Sequence, residues 1–189
     1  MKKLFLSALL AVSALAASAQ QTVGTFAIEP HVGFGYSTIS NYGDIDGGIS
    51  MEIGADAIYK FTDSFGASAG LNFYALTSDE VNSTKLEYNT LDIPLLAHFN
   101  FTSNLSAFAG FKFAFKLSAK HNYDGDKVSL KGVKSTRVLL PVGLKWTFNS
   151  NWTVGAQYNF SLTRFNDVEL SDNTHISPIM LNVGYRFQL

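Results

Sequence analysis

The 189-residue sequence predicts an all-β protein, an eight-stranded antiparallel up-and-down transmembrane β-barrel. Three observations predict this fold class. Apolar residues recur at every second position, the segments with this pattern are 13–16 residues long, and short and long connections alternate between them. A tilted strand needs about 9–11 residues to cross a bilayer, whereas strands of soluble proteins average about five or six. The segments therefore suit a membrane-spanning sheet better than a secreted β-sandwich, which is the alternative.

The N-terminus has the three parts of a secretory signal peptide. Lys2 and Lys3 form a positive region, residues 4–17 form an apolar region rich in Ala, and Ala17-Ser18-Ala19 is a small-x-small cleavage site. The apolar run is shorter than the roughly twenty residues that a spanning helix needs, so an uncleaved anchor is the weaker alternative. We expect a cleaved signal peptide over 1–19 and one exported barrel domain over 20–189.

The eight segments follow one another with the same period of two. In residues 105–118 every odd position from Leu105 to Leu117 is apolar, while small or charged residues occupy most of the even positions. A helix would scatter these two sets over all its faces, but a strand separates them. The predicted strands are 24–39, 49–61, 65–77, 88–101, 105–118, 135–148, 152–165 and 175–189.

The connections alternate in length along the chain. Residues 62–64, 102–104 and 149–151 are tight polar turns, and four longer polar stretches at 40–48, 78–87, 119–134 and 166–174 separate the other strands. Periplasmic turns and longer extracellular loops are typical of outer-membrane barrels. Closure is expected because hydrocarbon offers no partner to the backbone groups of an open sheet edge. Aromatic residues that flank the short turns predict an interfacial girdle: Tyr59, Phe61, Phe65, Phe99, Phe101, Trp146, Phe148, Trp152, Tyr185 and Phe187.

The inward-facing positions predict a network of charges in the lumen. Eight strands enclose an interior that side chains can fill, and opposite charges there should pair because isolated buried charges are costly. The predicted lumen charge network consists of Glu29, Glu52, Asp56, Asp92, Lys112, Lys116, Lys145 and Arg186. Further inward residues are Lys60, Arg137, His31, His98, Asn72, Gln157, Asn159 and Asn182.

Four prolines complicate these assignments of the two faces. Pro30, Pro94, Pro141 and Pro178 lie inside predicted strands, where each lacks the N–H that a ladder would use. A β-bulge could accommodate each proline, and it would exchange the inward and outward faces beyond it. The inward assignments of Glu29, Asp92 and Arg137 are therefore the ones that a bulge would change.

The last strand predicts a signal for barrel assembly. Asn182, Gly184, Phe187 and Leu189 follow a polar-x-Gly-x-x-aromatic-x-hydrophobic pattern, with alternation continuing to the terminus. This pattern resembles the C-terminal sorting signal of bacterial outer-membrane barrels, although Leu189 stands where an aromatic residue is more usual. The resemblance implies contact with the barrel-assembly machinery during biogenesis.

Over residues 20–189 the sequence is similar to the small outer-membrane β-barrel and porin-like families of Bacteroidota. The residues that carry this resemblance are Asp92-Ile93-Pro94-Leu95-Leu96, Leu140-Pro141-Val142-Gly143-Leu144 and Gly184-Tyr185-Arg186-Phe187. These motifs mark strands rather than chemistry. The resemblance implies a location in the outer membrane, with membrane lipid and lipopolysaccharide as partners.

Composition and motifs give little support for catalysis or cofactors. The absence of Cys excludes disulfides, thiol catalysis and thiolate metal sites. The net charge of -1 provides no electrostatic footprint for nucleic acid. Residues 66–70 match G-x-S-x-G but lie in a strand pattern, whereas a nucleophile elbow needs a strand-to-helix turn. We expect no metal and no cofactor.

Two alternatives stay open beside a structural, adhesive or surface-interaction role without catalysis. The first is a narrow ion or small-solute channel. The second is a lipid A-modifying hydrolase, because His175 and Ser177 share a strand face and resemble the His-x-Ser of barrel lipid A deacylases, with Glu169 or Asp172 to orient the imidazole. The third long loop is the basic one, with Lys120, Lys127, Lys131 and Lys134, and could contact lipopolysaccharide phosphates.

Overall fold

The computed structural model describes residues 23–40, 47–78, 84–123, 126–130, 132–149, 151–166 and 174–189. The predicted signal peptide at 1–19 lies outside the described residues. The strands are β1 (Phe26–Ser40), β2 (Gly47–Lys60), β3 (Phe65–Ser78), β4 (Thr84–Asn100), β5 (Leu105–Tyr123), β6 (Asp126–Ser129), β7 (Thr136–Phe148), β8 (Trp152–Ser161), β9 (His175–Tyr185) and β10 (Phe187–Gln188).

The sheet closes on itself as an eight-stranded antiparallel barrel. Each long strand pairs with the next along the chain, and β9 pairs with β1 from His31 opposite Gly184 to Ser40 opposite His175. Strand β10 continues β9 in the same register along β1, and β6 is a short strand that pairs only with β5. Closure pairs the backbone groups of the first and last strands, as hydrocarbon requires. The predicted fold class is confirmed.

The two faces of the strands differ as the alternation predicts. Outward positions carry exposed apolar side chains, such as Ile53, Leu144 and Leu181, while inward positions are buried and mostly polar. On β5, for example, Phe111 is exposed and the adjacent Lys112 is buried. A surface that exposes so many large apolar side chains suits contact with lipid. Within the described ranges, no helix is long and apolar enough to cross a membrane.

The prolines interrupt ladders without changing register. Pro94 lies at a gap in the β3–β4 ladder, and pairing resumes on both sides in one register, with Ala69 opposite Leu95 and Asn72 opposite Asp92. Pro141 occupies an equivalent gap between β5 and β7. The break between β9 and β10 lies opposite Pro30, and the β8–β9 ladder ends just before Pro178. The possibility that bulges at these prolines exchange the faces is therefore not realised.

Among the ladders that the structure describes, one register shift occurs, between β4 and β5. Asn89 pairs with Ser118 while Thr90 pairs with Lys116, which leaves Leu117 as the extra residue. Inward positions on β5 are consequently even up to Lys116 and odd at Ala119, which is buried. This bulge lies near the end of the barrel that carries the long connections, called here the loop end.

Tight turns close the opposite end, called here the turn end. Thr62 and Thr102 start two turns of the same design, in which the threonine Oγ1 accepts the N–H of Phe65 or Leu105, at 3.0 Å in each case. The third turn contains Asn149 at φ 47°, a left-handed conformation that Asn tolerates. Aromatic pairs surround this end, including Phe65 with Phe99 and Trp152 with Tyr185, with ring centroids 5.2 and 5.1 Å apart.

Some predicted strand boundaries were wrong, chiefly at the loop end. Strand β4 begins at Thr84 rather than at 88, and β5 runs to Tyr123 rather than ending at 118. Strand β6 lies inside the stretch 119–134, which was expected to be a polar loop. Conversely, β8 ends at Ser161, so residues 162–165 do not belong to the strand.

Candidate functional site

The interior of the barrel holds three groups of side chains along its axis. We name them the turn-end cluster (Glu29, Lys145, Arg186), the central cluster (His31, Glu52, Asp56, Asp92, Lys112) and the loop-end plug (the apolar side chains around Arg137). Together they occupy the lumen of the barrel.

The turn-end cluster is built around one buried carboxylate. Lys145 Nζ on β7 donates to Glu29 Oε1 on β1 at 2.5 Å, and Arg186 donates to Glu29 Oε2 through Nε at 2.9 Å and through Nη2 at 2.8 Å. Glu29 is 1% exposed, so these contacts lie in a region of low dielectric constant. One negative charge therefore faces two positive ones, which leaves the cluster with an excess of one positive charge.

The central cluster has the opposite balance. Lys112 Nζ on β5 donates to Glu52 Oε2 on β2 at 2.6 Å and lies 4.0 Å from Asp92 Oδ2 on β4. Thr90 Oγ1 donates to Asp92 Oδ1 at 2.5 Å. The Glu52–Lys112 pair crosses the lumen between two strands that are not neighbours in the sheet. It therefore ties opposite walls of the barrel together.

The imidazole of His31 completes the central cluster. Its Nε2 lies 3.7 Å from Glu52 Oε1, and its Nδ1 lies 3.9 Å from Asp56 Oδ2. Three carboxylates thus share the positive charge of Lys112 and any charge that His31 carries. Acidic groups are in excess in the middle of the barrel, whereas basic groups are in excess at the turn end.

Glycines make room for polar side chains on the inner wall. A Cβ at Gly54 would overlap Oδ1 of Asn72, its partner on the neighbouring strand β3. In the same way, a Cβ at Gly70 would overlap Oδ1 of Asp56, its partner on β2. These oxygens are buried and have no hydrogen-bond partner among the described residues. Each lies where the glycine places its Cα–H, a weak donor that stabilises such an arrangement.

The loop-end plug contains a buried arginine held by aromatic rings. Arg137 is 1% exposed, and its Nε donates to the Tyr88 hydroxyl at 3.1 Å while Nη1 donates to the Ile176 carbonyl at 3.4 Å. Its guanidinium carbon lies 5.0 Å from the ring centroid of Tyr88 and 5.9 Å from that of Phe165. Cation–π contacts of this kind are strongest when they are desolvated.

Apolar side chains close the lumen around this arginine. They come from strands and from two connections that were expected to be exposed or to belong to a strand. The buried cluster consists of Ile39, Tyr74, Leu76, Leu86, Tyr88, Ala119, Val133, Phe165, Ile176 and Met180. Phe165 packs edge-on against Tyr88 with centroids 5.1 Å apart. A hydrophobic cluster therefore fills the loop end of the lumen, and the alternation of apolar and polar residues did not predict it.

Seven of the eight residues of the predicted lumen charge network lie in the two charged clusters. Lys116 lies outside both clusters. Its Nζ donates to the Val133 carbonyl at 2.6 Å, at the edge of the plug. The bulge at Leu117 places Lys116 close to the loop end, where a backbone carbonyl of the connection is its partner.

The residues of the two motifs that suggested hydrolysis lie within strands of the barrel wall. Ser68 lies inside β3, with no strand-to-helix turn, and its Oγ is 2.8 Å from His98 Nε2 in the buried interior. His175 and Ser177 lie on the outward face of β9, where Ser177 Oγ accepts the backbone N–H of Ser161 at 3.4 Å. Glu169 and Asp172, the acids expected to orient His175, lie outside the described residues.

The residues of the predicted sorting signal lie along the closing strand. Asn182 faces inward and covers Gly33, Gly184 is buried, and Phe187 contacts Tyr185 at 4.7 Å between ring centroids. Leu189 is exposed, and its N–H donates to the Phe26 carbonyl. Their role in recognition by the assembly machinery stays a prediction.

The titratable side chains were also compared with the arrangements that bind metal ions. Among the residues that the structure describes, no group of three or more His, Asp or Glu side chains is arranged to hold a metal ion.

The closed barrel, its apolar exterior and its occupied lumen are features of a small membrane barrel. The sequence profile of the family described as "Outer membrane protein beta-barrel domain" matches residues 5–187. The chain belongs to this family. No curated protein sequence matches it.

Solved structures with the same fold include three bacterial outer-membrane barrels. Neisserial surface protein A is similar at a TM-score of 0.61 with 12% identity, over 85% of this chain and 96% of that one. Ail, the attachment invasion locus protein of Yersinia pestis, gives 0.56 and 17%, over 88% and 100%. The N-terminal barrel domain of Pseudomonas aeruginosa OprF gives 0.50 and 18%, over 88% and 100%. Identities this low show a common fold, and membership of the family implies a location in the outer membrane.

Proposed function

We propose that this outer-membrane barrel is a structural and surface-interaction protein without catalytic activity, and that its loop end is the surface that contacts partners. The observation that carries the proposal is the occupied lumen. Buried ion pairs fill the lumen from the turn end to its middle, and the apolar loop-end plug fills the rest. With the interior filled and the outer wall apolar, the long connections at the loop end, which are polar in sequence, are the part of the chain that we expect to meet partners outside the cell.

A permanently open channel is poorly supported by this interior. Between Glu52, Asp92, Lys112 and Arg137 there is a cavity of about 10 Å³. Such a volume is at the lower limit for a single water molecule. A conducting state would require the central ion pairs and the plug to move together.

The loop end projects from the barrel on one side. Strand β5 extends to Tyr123 and pairs with both β4 and β6 there, so three strands continue beyond the last pair between β5 and β7. Lys120 and Lys134 lie on this side, and in sequence Lys127 and Lys131 complete the basic set. Clustered lysines attract anions at short range, so lipopolysaccharide phosphates are the partner that we propose for this surface.

Two of the similar structures are a surface protein and an attachment protein by name. Ail was also solved in complex with the heparin analogue sucrose octasulfate. Those names and that ligand belong to those proteins. They support testing attachment and polyanion binding here.

The test compares cells that display three forms of the chain. The first is wild type, the second, the loop variant, has Lys120, Lys127, Lys131 and Lys134 replaced by Gln, and the third is the turn-end control Asp63→Asn. All three should show the heat-modifiable gel shift of folded barrels. We expect the wild type and the control to increase cell adherence over empty-vector cells and the loop variant to lose the increase. Equal adherence of the loop variant and the wild type would contradict the proposal.

Two further measurements separate the alternatives. Purified wild-type barrel should show no steady conductance in planar bilayers, and a stable open level would favour the channel. Expression should leave the mass of lipid A unchanged. A mass change that is lost in His175→Ala would favour the hydrolase instead.

A further inference from the structure

A cavity of about 50 Å³ opens at the turn end, between the turns at 61–64 and 101–104. Its polar lining includes Lys60, Asp63, His98, Asn100, Ser106 and Arg186. The volume exceeds the roughly 10–15 Å³ needed for one water molecule, so the cavity has room for a small polar group. In a barrel of this family the turn end faces the periplasm.

The charge around this cavity is positive. Arg186 lines it directly, and behind Arg186 the turn-end cluster has two cations in direct contact with one carboxylate; the next carboxylate, Asp56, also interacts with Lys145 but does not line the cavity. Asp63 is the acid in the lining, but its side chain is 92% exposed and pairs with Lys60 at 3.3 Å. Solvent and salt screen such an exposed charge far more than a buried one. A negatively charged group in the cavity would offset the buried positive excess.

The same region also has hydrogen-bond donors to offer. Arg186 uses Nε and Nη2 for Glu29, and a guanidinium carries five N–H groups in a fixed fork. Two residues further on, on the inward side but outside the lining of the cavity, Gln188 Nε2 is buried with no hydrogen-bond partner among the described residues. The unpartnered atoms in the middle of the barrel, by contrast, are acceptor oxygens. A surplus of donors beside a surplus of positive charge is complementary to an oxyanion.

We propose that the turn-end mouth of the barrel is a binding site for an oxyanion, a carboxylate or phosphate group presented from the periplasm. Arg186 and Lys60 supply the charge, and Ser106 and Asn100, whose side chains donate to the carbonyls of Lys145 and Asp63, form part of the polar wall. The site is separate from the loop end, so it stands or falls independently of the surface-interaction role.

The test is a titration of the full mature barrel, labelled with ¹⁵N, in a zwitterionic detergent. Inorganic phosphate and acetate are the two probes, with ionic strength held constant by chloride. We expect saturable shifts of the backbone amides of residues 60–66 and 98–106. The probe that binds more tightly identifies phosphate or carboxylate as the natural chemistry.

Lys60→Gln should weaken binding by about tenfold or more, as expected for the loss of one charge-assisted contact. The matched control is Arg164→Gln, which removes one exposed positive charge at the loop end and should leave the affinity within twofold. Arg186→Gln is the second variant and should also weaken binding. It should still fold, because Lys145 continues to pair with Glu29 when Arg186 is removed. The proposal is overturned if neither probe saturates, if the shifts spread over lysines at both ends, or if Lys60→Gln and Arg164→Gln behave alike.

Discussion

Replacing Glu29 by Gln removes the one negative charge that holds the turn-end cluster together. Lys145 Nζ and two nitrogens of Arg186 contact this carboxylate at 2.5–2.9 Å, and it is almost fully buried. Removing one partner of a buried ion pair costs about 3–5 kcal/mol, because the remaining charge is left uncompensated. Here two cations would be left, so we expect Glu29→Gln to destabilise the barrel by at least about 3 kcal/mol.

The matched control is Asp63→Asn, which makes the same chemical change at the same end of the barrel. Asp63 pairs with Lys60 at 3.3 Å but is exposed, and exposed pairs contribute about 0–1 kcal/mol. Unfolding by urea in lipid vesicles, followed by the fluorescence of Trp146 and Trp152, measures both variants. A loss below about 1 kcal/mol in Glu29→Gln, equal to that of the control, would refute the account of the turn-end cluster.

A double variant measures how strongly the contributions of Glu29 and Arg186 to stability depend on each other. Glu29→Gln combined with Arg186→Gln should cost less than the sum of the two single changes, because the second change removes one of the stranded cations. Additive losses would mean that the three side chains act independently.

Three other changes test the remaining parts of the structure. Gly54→Ala would place a Cβ against Asn72 Oδ1 and should cost about 1–3 kcal/mol in the same unfolding assay, whereas Gly155→Ala, whose nearest neighbouring atom would be 3.3 Å away, should cost less. Phe165→Ala empties part of the plug, so it should cost about 3–5 kcal/mol, while planar-bilayer conductance should stay at the wild-type level because the central ion pairs still fill the lumen; a raised conductance would mean that the plug alone limits passage. Leu181→Arg places a charge on the lipid-facing wall and should cost about 2–4 kcal/mol in vesicles, with Leu181→Ala as the control that keeps the site uncharged.

The alternation of apolar and polar residues was enough to predict the wall of the barrel. On β5 and β9 it assigned the faces correctly because lipid accepts only apolar side chains, and this makes the pattern strict. The prolines did not disturb it, since a missing N–H opens a gap in one ladder and leaves the backbone extended. Residues next to prolines, such as Glu29 and Asp92, therefore keep their inward positions.

The loop end was predicted less well for a physical reason. Beyond Leu117 the strands β4 and β5 continue outside the apolar band, where neither face needs to be apolar. The bulge between Asn89 and Thr90 also exchanges the faces of β5. Polar residues on a solvated hairpin resemble a loop in sequence, and this explains why β6 was missed.

Composition alone could not show which lumen charges pair. Glu52 and Lys112 lie on strands that are not neighbours, and their meeting depends on the stagger of the closed sheet. The plug depends on the return of Val133 and Phe165 from the connections into the barrel mouth. An aromatic residue at an inward position near the loop end of a strand, such as Tyr88, is the feature of the sequence that could have predicted an apolar lumen there.

The central claim, a closed barrel with a lipid-facing wall and an occupied interior, is tested most directly by spin labels along β9. The chain has no Cys, so single cysteines at positions 179–184 can be labelled one at a time in vesicles. Collision with oxygen, which dissolves in lipid, should be high at 179, 181 and 183 and low at 180, 182 and 184. A water-soluble nickel chelate should reach none of the six. Equal accessibility along the strand, or access of the chelate to the even positions, would contradict the account.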